Sequence, residues 1–309
     1  MRNAFAAAIT DLAAKDERIV LLSGDIGNRL FDKYRAQCPT RFYNCGVAEQ
    51  NMTGMAAGLA LSGLRPFTYT ITPFATTRVI EQIRVDICYH DVPVVIVGTG
   101  SGLSYASLGP THHSCEDVGI LRCFPNLTVL CPADAMEVGP AIEAALSLPG
   151  PVYIRLGKKG EPVVHESRPT FEIGKGIVMR EGTDVCLLGM GTLVSVALAA
   201  AQELEHQGLS ARVVSMHTVK PLDETLLADA FDRFRAVAVV EEHSVIGGLG
   251  SAVAEWLVRR DGLQPPLVAC GTPDAFISEA GSQQWMREQC GLTGPAVAAK
   301  ILARLGKSP

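Results

Sequence analysis

Four short stretches of the chain carry residue types whose spacing could do chemistry. The first is Gly46-Val47-Ala48-Glu49-Gln50-Asn51-Met52, where a carboxyl group opens a run rich in small residues (Gly54, Ala56, Ala57, Gly58, Ala60). A glutamate in a first helical turn complements the positive end of the helix macrodipole. So small-sided a helix also lets another backbone or a flat ligand come close. The second is Gly109-Pro110-Thr111-His112-His113-Ser114-Cys115-Glu116-Asp117. Two histidines there suit hydrogen bonding or proton transfer near neutral pH, or a purely structural place. A metal reading is weaker: adjacent side chains diverge, and no third ligand is evident. The third, Ser23-Gly24-Asp25-Ile26-Gly27-Asn28, superficially resembles a nucleotide loop. It has neither G-x-G-x-x-G nor the lysine of a P-loop. A plain strand-to-helix turn, with Asp25 near a helix start, accounts for it as well. The fourth is Glu241-Glu242-His243-Ser244-Val245-Ile246-Gly247-Gly248-Leu249-Gly250. Its glycines allow tight packing of a helix start, so a structural or interface role suits it better than catalysis.

Apolar β-rich runs alternating with helical patterns must position these stretches. Strands are expected at Ile19–Leu22, Phe42–Asn44, Pro66–Ile71, Val92–Gly98, Leu127–Leu130 and Val152–Leu156. Helices are expected over Val47–Ser62, Thr76–Tyr89, Cys115–Arg122 and Ala133–Leu148, after an amphipathic N-terminal helix. Strands spaced by such helices make a parallel α/β sheet covered on both faces. Ligands gather beyond the carboxyl ends of such strands. The loop from Gly98 to Gly109 lies there, with four glycines and three serines (101, 104, 107). Long loops of that kind are usually functional. The segment Gly157–Gly176 breaks the rhythm and reads as an interdomain linker over the surface. The alternation then resumes with strands Val185–Gly189, Arg212–Ser215, Ala236–Val240 and Leu267–Cys270. Helices Thr192–Gln207, Asp223–Phe231, Gly250–Arg259 and about Ala296–Leu305 separate or follow them. Three parts are therefore expected: 1–160, a linker at 161–175, and a smaller α/β unit at 176–309.

Composition narrows the class. The chain has 309 residues, 48% hydrophobic and 19% charged, with a net charge of −5. This is too apolar for a disordered chain, and it lacks the basic surplus of a nucleic-acid binder. Its apolar runs are strand-sized, far short of the roughly 20 residues a bilayer requires. High apolarity without a membrane span implies large buried surfaces, in sheet cores or a subunit interface. The nine cysteines are scattered singly with no C-x-x-C pair. That pattern fits free thiols in a reducing, cytoplasmic setting. The N-terminus lacks the basic start and unbroken apolar stretch of a signal peptide.

Taken in order, the motifs resemble the C-terminal half of a transketolase, carried as a separate subunit, over essentially the whole chain. Gly46–Met52 resembles the family's G-[IV]-x-E-[QH] motif. Phe74-Ala75-Thr76-Thr77-Arg78 with Glu81-Gln82-Ile83-Arg84 resembles the pyrimidine-pocket helix of split transketolases. Gly109–His112 resembles the G-[PA]-T-H signature, and Glu241–Gly250 the EEH-x-x-x-GGLGS block. The resemblance implies a fold in which the pyrimidine-binding parallel-sheet domain of thiamine diphosphate enzymes precedes a smaller transketolase C-terminal α/β domain.

It also implies roles. Thiamine diphosphate supplies the reactive carbon, while the protein orients it and tunes its electrostatics. Glu49 takes the place of the glutamate that donates a hydrogen bond to the pyrimidine ring. Phe74 takes that of the aromatic stacked on it, with Arg78 beside it in the same motif, and Asp25 that of an acidic residue near the thiazolium. His112 matches the histidine facing the reactive carbon, where it would stabilise a developing oxyanion or shuttle a proton. His113 would assist. The family holds diphosphate and a divalent metal through a G-D-G…N motif that Gly24-Asp25-Ile26 does not supply. Mg²⁺ and diphosphate would therefore belong to an N-terminal transketolase partner, in an α2β2 heterotetramer. On the substrate side Leu108 stands where the family has a hydroxyl-reading aspartate, and Gly100 where it has a phosphate-binding histidine. Lys158 lies near a phosphate-binding arginine. Loss of such polar contacts disfavours ordinary sugar phosphates.

Transfer of a two-carbon ketol or acyl unit to an aldehyde or ketone acceptor is the function this implies. Two other readings share features with it. One is the β subunit of a 2-oxo acid (pyruvate) dehydrogenase decarboxylase component, or a related decarboxylating acyl transferase. The other is a non-catalytic partner that keeps the fold. Glu49-Gln50 also resembles deoxyxylulose phosphate synthase, which keeps both halves on one chain.

Overall fold

The structure, a computed structural model, describes residues 1–27 and 29–307; Asn28 of the first-strand turn lies outside them. Among the described residues twelve strands form two sheets. In the first, β1 (Ile19–Ser23), β2 (Phe42–Asn44), β3 (Arg65–Ile71), β4 (Val95–Thr99), β5 (Thr128–Leu130) and β6 (Val152–Leu156) run parallel. Strands β1, β4 and β6 are buried at every position, as a sheet covered on both faces requires. The second sheet holds β7 (Ile177–Arg180), β8 (Val185–Gly189) and β9 (Ala211–Ser215). A short strand, β10 (Thr218–Lys220), then leaves it, and β11 (Ala236–Ser244) and β12 (Leu267–Thr272) complete it. The first sheet is ordered β10-β5-β6-β4-β3-β1-β2 and the second β12-β11-β8-β9-β7. Only β10 on β5 and β7 on β9 pair antiparallel.

Strand β10 lies late in the sequence yet closes the edge of the first sheet, so the two halves share backbone hydrogen bonds. They also share a core. One apolar cluster runs from Val20, Met52 and Ile96 through Cys131 and Tyr153 to Met190, Val214, Val239 and Trp256. The far face of the first sheet buries Phe5, Ile9, Phe31, Tyr34, Phe67 and Tyr69 under the helix Arg2–Ala13. The far face of the second packs beneath the helices Val194–His206 and Gly294–Arg304.

Several elements differ from expectation. The single helix expected over Thr76–Tyr89 is instead a chain of short turns. A helical turn at Thr72–Ala75 carries Pro73 in its first positions, and the backbone breaks at Thr76 (φ −128°, ψ −84°). A 3₁₀ turn at Thr77–Val79 and a helical turn at Ile80–Gln82 lead into a π-helix at Ile83–Tyr89. Seven β-branched residues between Thr76 and Ile87 weaken a regular helix here, and π-turns favour functional sites. Strands β7 and β10 and the helices Asp32–Gln37 and Gln283–Gln289 are additional. Segment 157–176 has no helix or strand, but it is tied down at three points. Glu161 pairs with the N-terminal ammonium at 3.0 Å. The amides of Val164 and His165 donate to Asp134 at 2.7 and 3.0 Å. Phe171 stacks on His217 at 3.8 Å.

Candidate active site

The carboxyl ends of β1, β3 and β4 and the start of the helix Glu49–Leu61 meet at one place on the first sheet. Gly46, at φ +70°, turns the chain from β2 toward that helix. Glu49 is its first residue and is 4% exposed. Gly24, at the end of β1, passes so close that a β-carbon there would lie 3.5 Å from the Glu49 Cγ. The Arg78 guanidinium donates to Glu49 Oε2 at 3.0 Å. The same guanidinium lies 3.9 Å from the centre of the Phe74 ring.

Phe74 meets His112 edge-on, with ring centres 5.3 Å apart. His112 is half-buried, and its Nδ1 lies 2.9 Å from the Thr111 hydroxyl. On its other side stands Tyr105, 6.1 Å away, and the Lys158 ammonium sits 4.1 Å from the centre of the Tyr105 ring. A row thus runs Glu49, Arg78, Phe74, His112, Tyr105, Lys158, gathered from a helix start, the broken segment, the long loop and the end of β6. Its ends are cationic or anionic, and its middle is aromatic.

Other expected site residues are placed elsewhere. Asp25 is exposed at φ +53°, and its carboxylate accepts from Asn44 at 2.9 Å. It lines a small cleft with Ser23, Gly27 and Arg29, on the β1–β2 side of the row. His113 does not join His112: adjacent side chains diverge, and His113 turns into a separate cleft of about 330 Å³ with Cys115, Glu116 and Thr272. Burial pushes its pKa down, so the ring there is neutral. Leu108 is 51% exposed on the turn Ala106–Leu108. Gly100 lies beneath Tyr105. Sequence reasoning missed Tyr105, whose only signal was being the one aromatic in a Gly/Ser-rich loop. Burial pushes its phenol pKa up and keeps it protonated.

The loop carrying His112 is held by the second half of the chain. Glu242 of β11 accepts from the Leu103 amide at 2.6 Å and from Gln283 at 2.8 Å, and it pairs with Arg287. The Ser244 amide donates to Cys115 O at 2.6 Å. The Gly119 amide donates to His243 Nε2 at 3.1 Å while His243 Nδ1 lies 2.9 Å from Ser244 O, which fixes the Nδ1–H tautomer. Glu241 accepts from Leu249 and Gly250 at 2.8 and 2.9 Å, at the start of the helix Leu249–Leu257. This block is structural, as its glycines suggested. Beneath the loop, Arg155 pairs with Asp117 at 2.8 Å and binds the Ser114 carbonyl at 2.9 Å. Among the described residues no group of three or more His, Cys, Asp or Glu is placed to hold a metal ion. No helix among them is long and apolar enough to cross a membrane.

Comparison with known proteins gives the family and the fold. Residues 1–161 match the model of the transketolase pyrimidine binding domain, and residues 174–297 that of the transketolase C-terminal domain. The 6-deoxy-6-sulfo-D-fructose transketolase subunit SqwH of Clostridium sp. is 39% identical, over 96% of this chain and 92% of its own. An apulose-4-phosphate transketolase subunit of Phocaeicola vulgatus is 34% identical, over 92% and 90%. A split gene transketolase solved as an inactive beta4 tetramer superposes with a TM-score of 0.89 at 39% identity, covering 100% of this chain and 98% of that one. The chain belongs to the transketolase family, and it carries that family's pyrimidine-binding and C-terminal domains in that order.

Proposed function

We propose that the chain supplies the pyrimidine half of a thiamine diphosphate site in a split transketolase, which transfers a two-carbon ketol unit to an aldehyde acceptor. The convergence of Glu49, Phe74 and His112 from three separate elements carries this reading. A buried carboxyl and an aromatic ring are the groups that an aminopyrimidine needs: one for a ring nitrogen, one for stacking. The cofactor, when bound, supplies a carbon nucleophile for attack on a carbonyl. Glu49 holds and shares a proton at the ring nitrogen. Arg78 holds the Glu49 carboxyl in place through Oε2 and steadies Phe74 from one face, leaving a second face for stacking. His112 faces the substrate, where it can stabilise a developing oxyanion or move a proton. Asp25 and His113 act outside this row, Asp25 toward the β1–β2 edge and His113 in support of the loop.

On this reading the chain has two functional parts, 1–160 and 176–309, joined by the tied-down segment 161–175. An N-terminal partner subunit holds diphosphate and Mg²⁺ in an α2β2 assembly, and small-residue faces such as that of Glu49–Leu61 pack against partner chains. All nine cysteines are unpaired thiols, which supports a cytoplasmic setting. Leu108 and Gly100 offer an acceptor no polar side chain, so the substrate differs from an ordinary sugar phosphate, with Lys158 as the remaining cation. Glu49→Gln, reconstituted with the partner, tests the reading. Turnover is expected to fall about 100-fold or more, the range of acid–base catalysis, with weaker cofactor binding by calorimetry. Unchanged turnover would overturn it.

A further inference from the structure

A cleft of about 330 Å³ lies behind the loop that carries His112. One wall is made by Pro110, His113, Cys115 and Glu116 of that loop. The other belongs to the second half of the chain, where β11 and β12 end and Thr272 leads into Pro273–Ile277. Backbone bonds fix both walls. Ser244 and Thr272 pair across β11 and β12, and the Val245 amide donates to Thr272 O at 3.0 Å. The Ser244 amide donates to Cys115 O at 2.6 Å and so ties one wall to the other. His112 is not part of the cleft; its ring stands in the row with Phe74 and Tyr105.

Two features of these walls point to an occupant. Polar atoms are stranded there. His113 and Thr272 are 7% and 1% exposed, yet His113 Nε2 and Thr272 Oγ1 have no hydrogen-bond partner among the described residues. Ser114 Oγ, next to His113 in the chain, is stranded too. Buried polar groups are nearly always bonded, so a gathering of orphans calls for a bound group that satisfies them. The charge, moreover, has one sign. Glu116 and Asp274 line the cleft, and among the described residues no lysine or arginine does. The buried cations nearby are engaged elsewhere, Arg155 with Asp117 and Arg287 with Glu242. Glu116 Oε2 accepts from the Cys115 amide at 2.8 Å, which holds its carboxylate at the mouth. Beside it the Phe276 ring is left 90% exposed. An aromatic face next to carboxylates suits a cation on an apolar body.

We propose that this cleft is a second small-molecule site, which binds a primary ammonium compound with a short apolar body. An ammonium group has three donors. They meet Thr272 Oγ1, a carboxylate of the rim, and neutral His113, which accepts through Nε2 when Nδ1 carries the proton. The apolar body lies against Pro110, Pro273 and Phe276. An acidic rim rejects phosphates and carboxylates, so this is no extension of a sugar-phosphate site. The proposal stands apart from the transketolase reading and needs no turnover to be tested. It bears on the candidate site through one element: the loop that walls the cleft on one side presents His112 on the other, so an occupant steadies His112 from behind.

Benzylamine, a cation at neutral pH, is the probe; benzyl alcohol and benzoate are its neutral and anionic counterparts. Calorimetry reads binding to the full chain and again to the complex reconstituted with the N-terminal partner. Benzylamine is expected to bind at one site in the millimolar range or tighter, and both counterparts about tenfold more weakly or not at all. Glu116→Gln/Asp274→Asn and Thr272→Val should each weaken benzylamine about tenfold, as the loss of hydrogen bonds to a charged group does. Thr272→Ser keeps the hydroxyl and should bind as wild type does, which guards against a merely misfolded valine variant. Glu49→Gln should also bind as wild type does; weaker binding there would put the probe in the catalytic row and overturn the separate site. Benzylamine that binds no tighter than benzyl alcohol, or equally well to the double variant, would overturn the proposal. So would binding to the chain that vanishes in the complex, which would mark the cleft as a partner contact, or a structure of the benzylamine-soaked protein with water alone between His113 and Thr272.

Discussion

Arg155→Met is the perturbation whose size follows most directly from the structure. Arg155 and Asp117 have side chains 3% and 1% exposed and are joined by two hydrogen bonds, at 2.8 and 3.1 Å. The same guanidinium donates to Ser114 O at 2.9 Å and Glu242 O at 3.0 Å, so it ties the His112 loop to β11. The variant leaves Asp117 buried with Tyr153, whose hydroxyl donates at 2.6 Å, as its remaining side-chain partner. Breaking a buried pair by removing one member costs about 3–5 kcal/mol, because the surviving charge stays uncompensated. Two carbonyls also lose a donor, at about 1 kcal/mol each. A loss of about 5–7 kcal/mol is therefore expected at pH 7, a large share of a domain's typical stability of about 5–15 kcal/mol. Asp117→Asn/Arg155→Met removes both charges and should recover part of it.

The pH dependence gives an independent check. Burial pushes the Asp117 carboxyl up, but the Arg155 guanidinium outweighs it and holds the pKa below the usual carboxylate range. A lowered native pKa means that the pair's stabilisation is full above the unfolded value, about 3.9, and is lost as pH falls through the native one. Without Arg155 burial is opposed only by the weaker effects of His243 and the Tyr153 hydroxyl, so the native pKa rises and the sign reverses. The variant then loses stability as pH rises through that raised value. The gap between wild type and variant should therefore shrink steadily from pH 7 toward pH 4. Urea unfolding at several pH values measures it. A gap under about 1 kcal/mol at pH 7, or one that does not narrow in acid, would refute the reasoning.

Two further outcomes follow from other buried groups. Burial pushes the Glu241 carboxyl from 4.5 up to about 7, only partly offset by its bonds to Gly250 and Leu249. A raised carboxyl pKa contributes stability that is full below the unfolded value and is lost as pH rises through about 7, a change of about 3 kcal/mol. Glu241→Gln should flatten this slope between pH 5 and 7.5 in urea titrations; an unchanged slope would sink the assignment. Gly102 sits at φ +59°, and a β-carbon would lie 2.6 Å from Glu242 Oε1 and 2.8 Å from its backbone oxygen. Gly102→Ala should cost about 1–3 kcal/mol and should lower reconstituted turnover more than stability alone explains. Full activity at a reduced unfolding midpoint would show that the loop position does not matter to chemistry.

What the sequence disclosed, and what it did not, divides along a physical line. Strands such as Val152–Leu156 and Val185–Gly189 were legible to the residue, because a doubly covered parallel strand is a largely continuous apolar run. Glu49 and His112 stood out through their motifs, and the structure brings both into the row with Phe74. Strand β10 was not: three residues have no period, and they pair only because β5 offers a free edge. The Thr76 break was not, because the apolar spacing of the segment is that of a helix and the β-branched residues that weaken a regular helix leave that spacing unchanged. The direction of His113 was not legible, because spacing along the chain does not say which way neighbouring side chains turn. Tyr105 was overlooked because its partner is a glycine, and the absence of a side chain carries no signal until the space above it is known to be filled.

The second half of the chain acts on the candidate site without entering the row from Glu49 to Lys158. Its contribution is made through backbone. Glu242 holds the Leu103 amide, His243 holds the Gly119 amide, and the Ser244 amide holds the Cys115 carbonyl. These three anchors bracket the segment from Gly102 to Gly119, so His112 and Tyr105 are fixed only when β11 is in place. A glycine-rich loop would otherwise be mobile, since glycine loses the most freedom on ordering. Fixing it in advance lowers the ordering cost at the moment a substrate binds. The two sheets also share β10 and a continuous core. Folding of one half is therefore a condition for the geometry of the other, and the second half of the chain controls the position of the loop that carries His112.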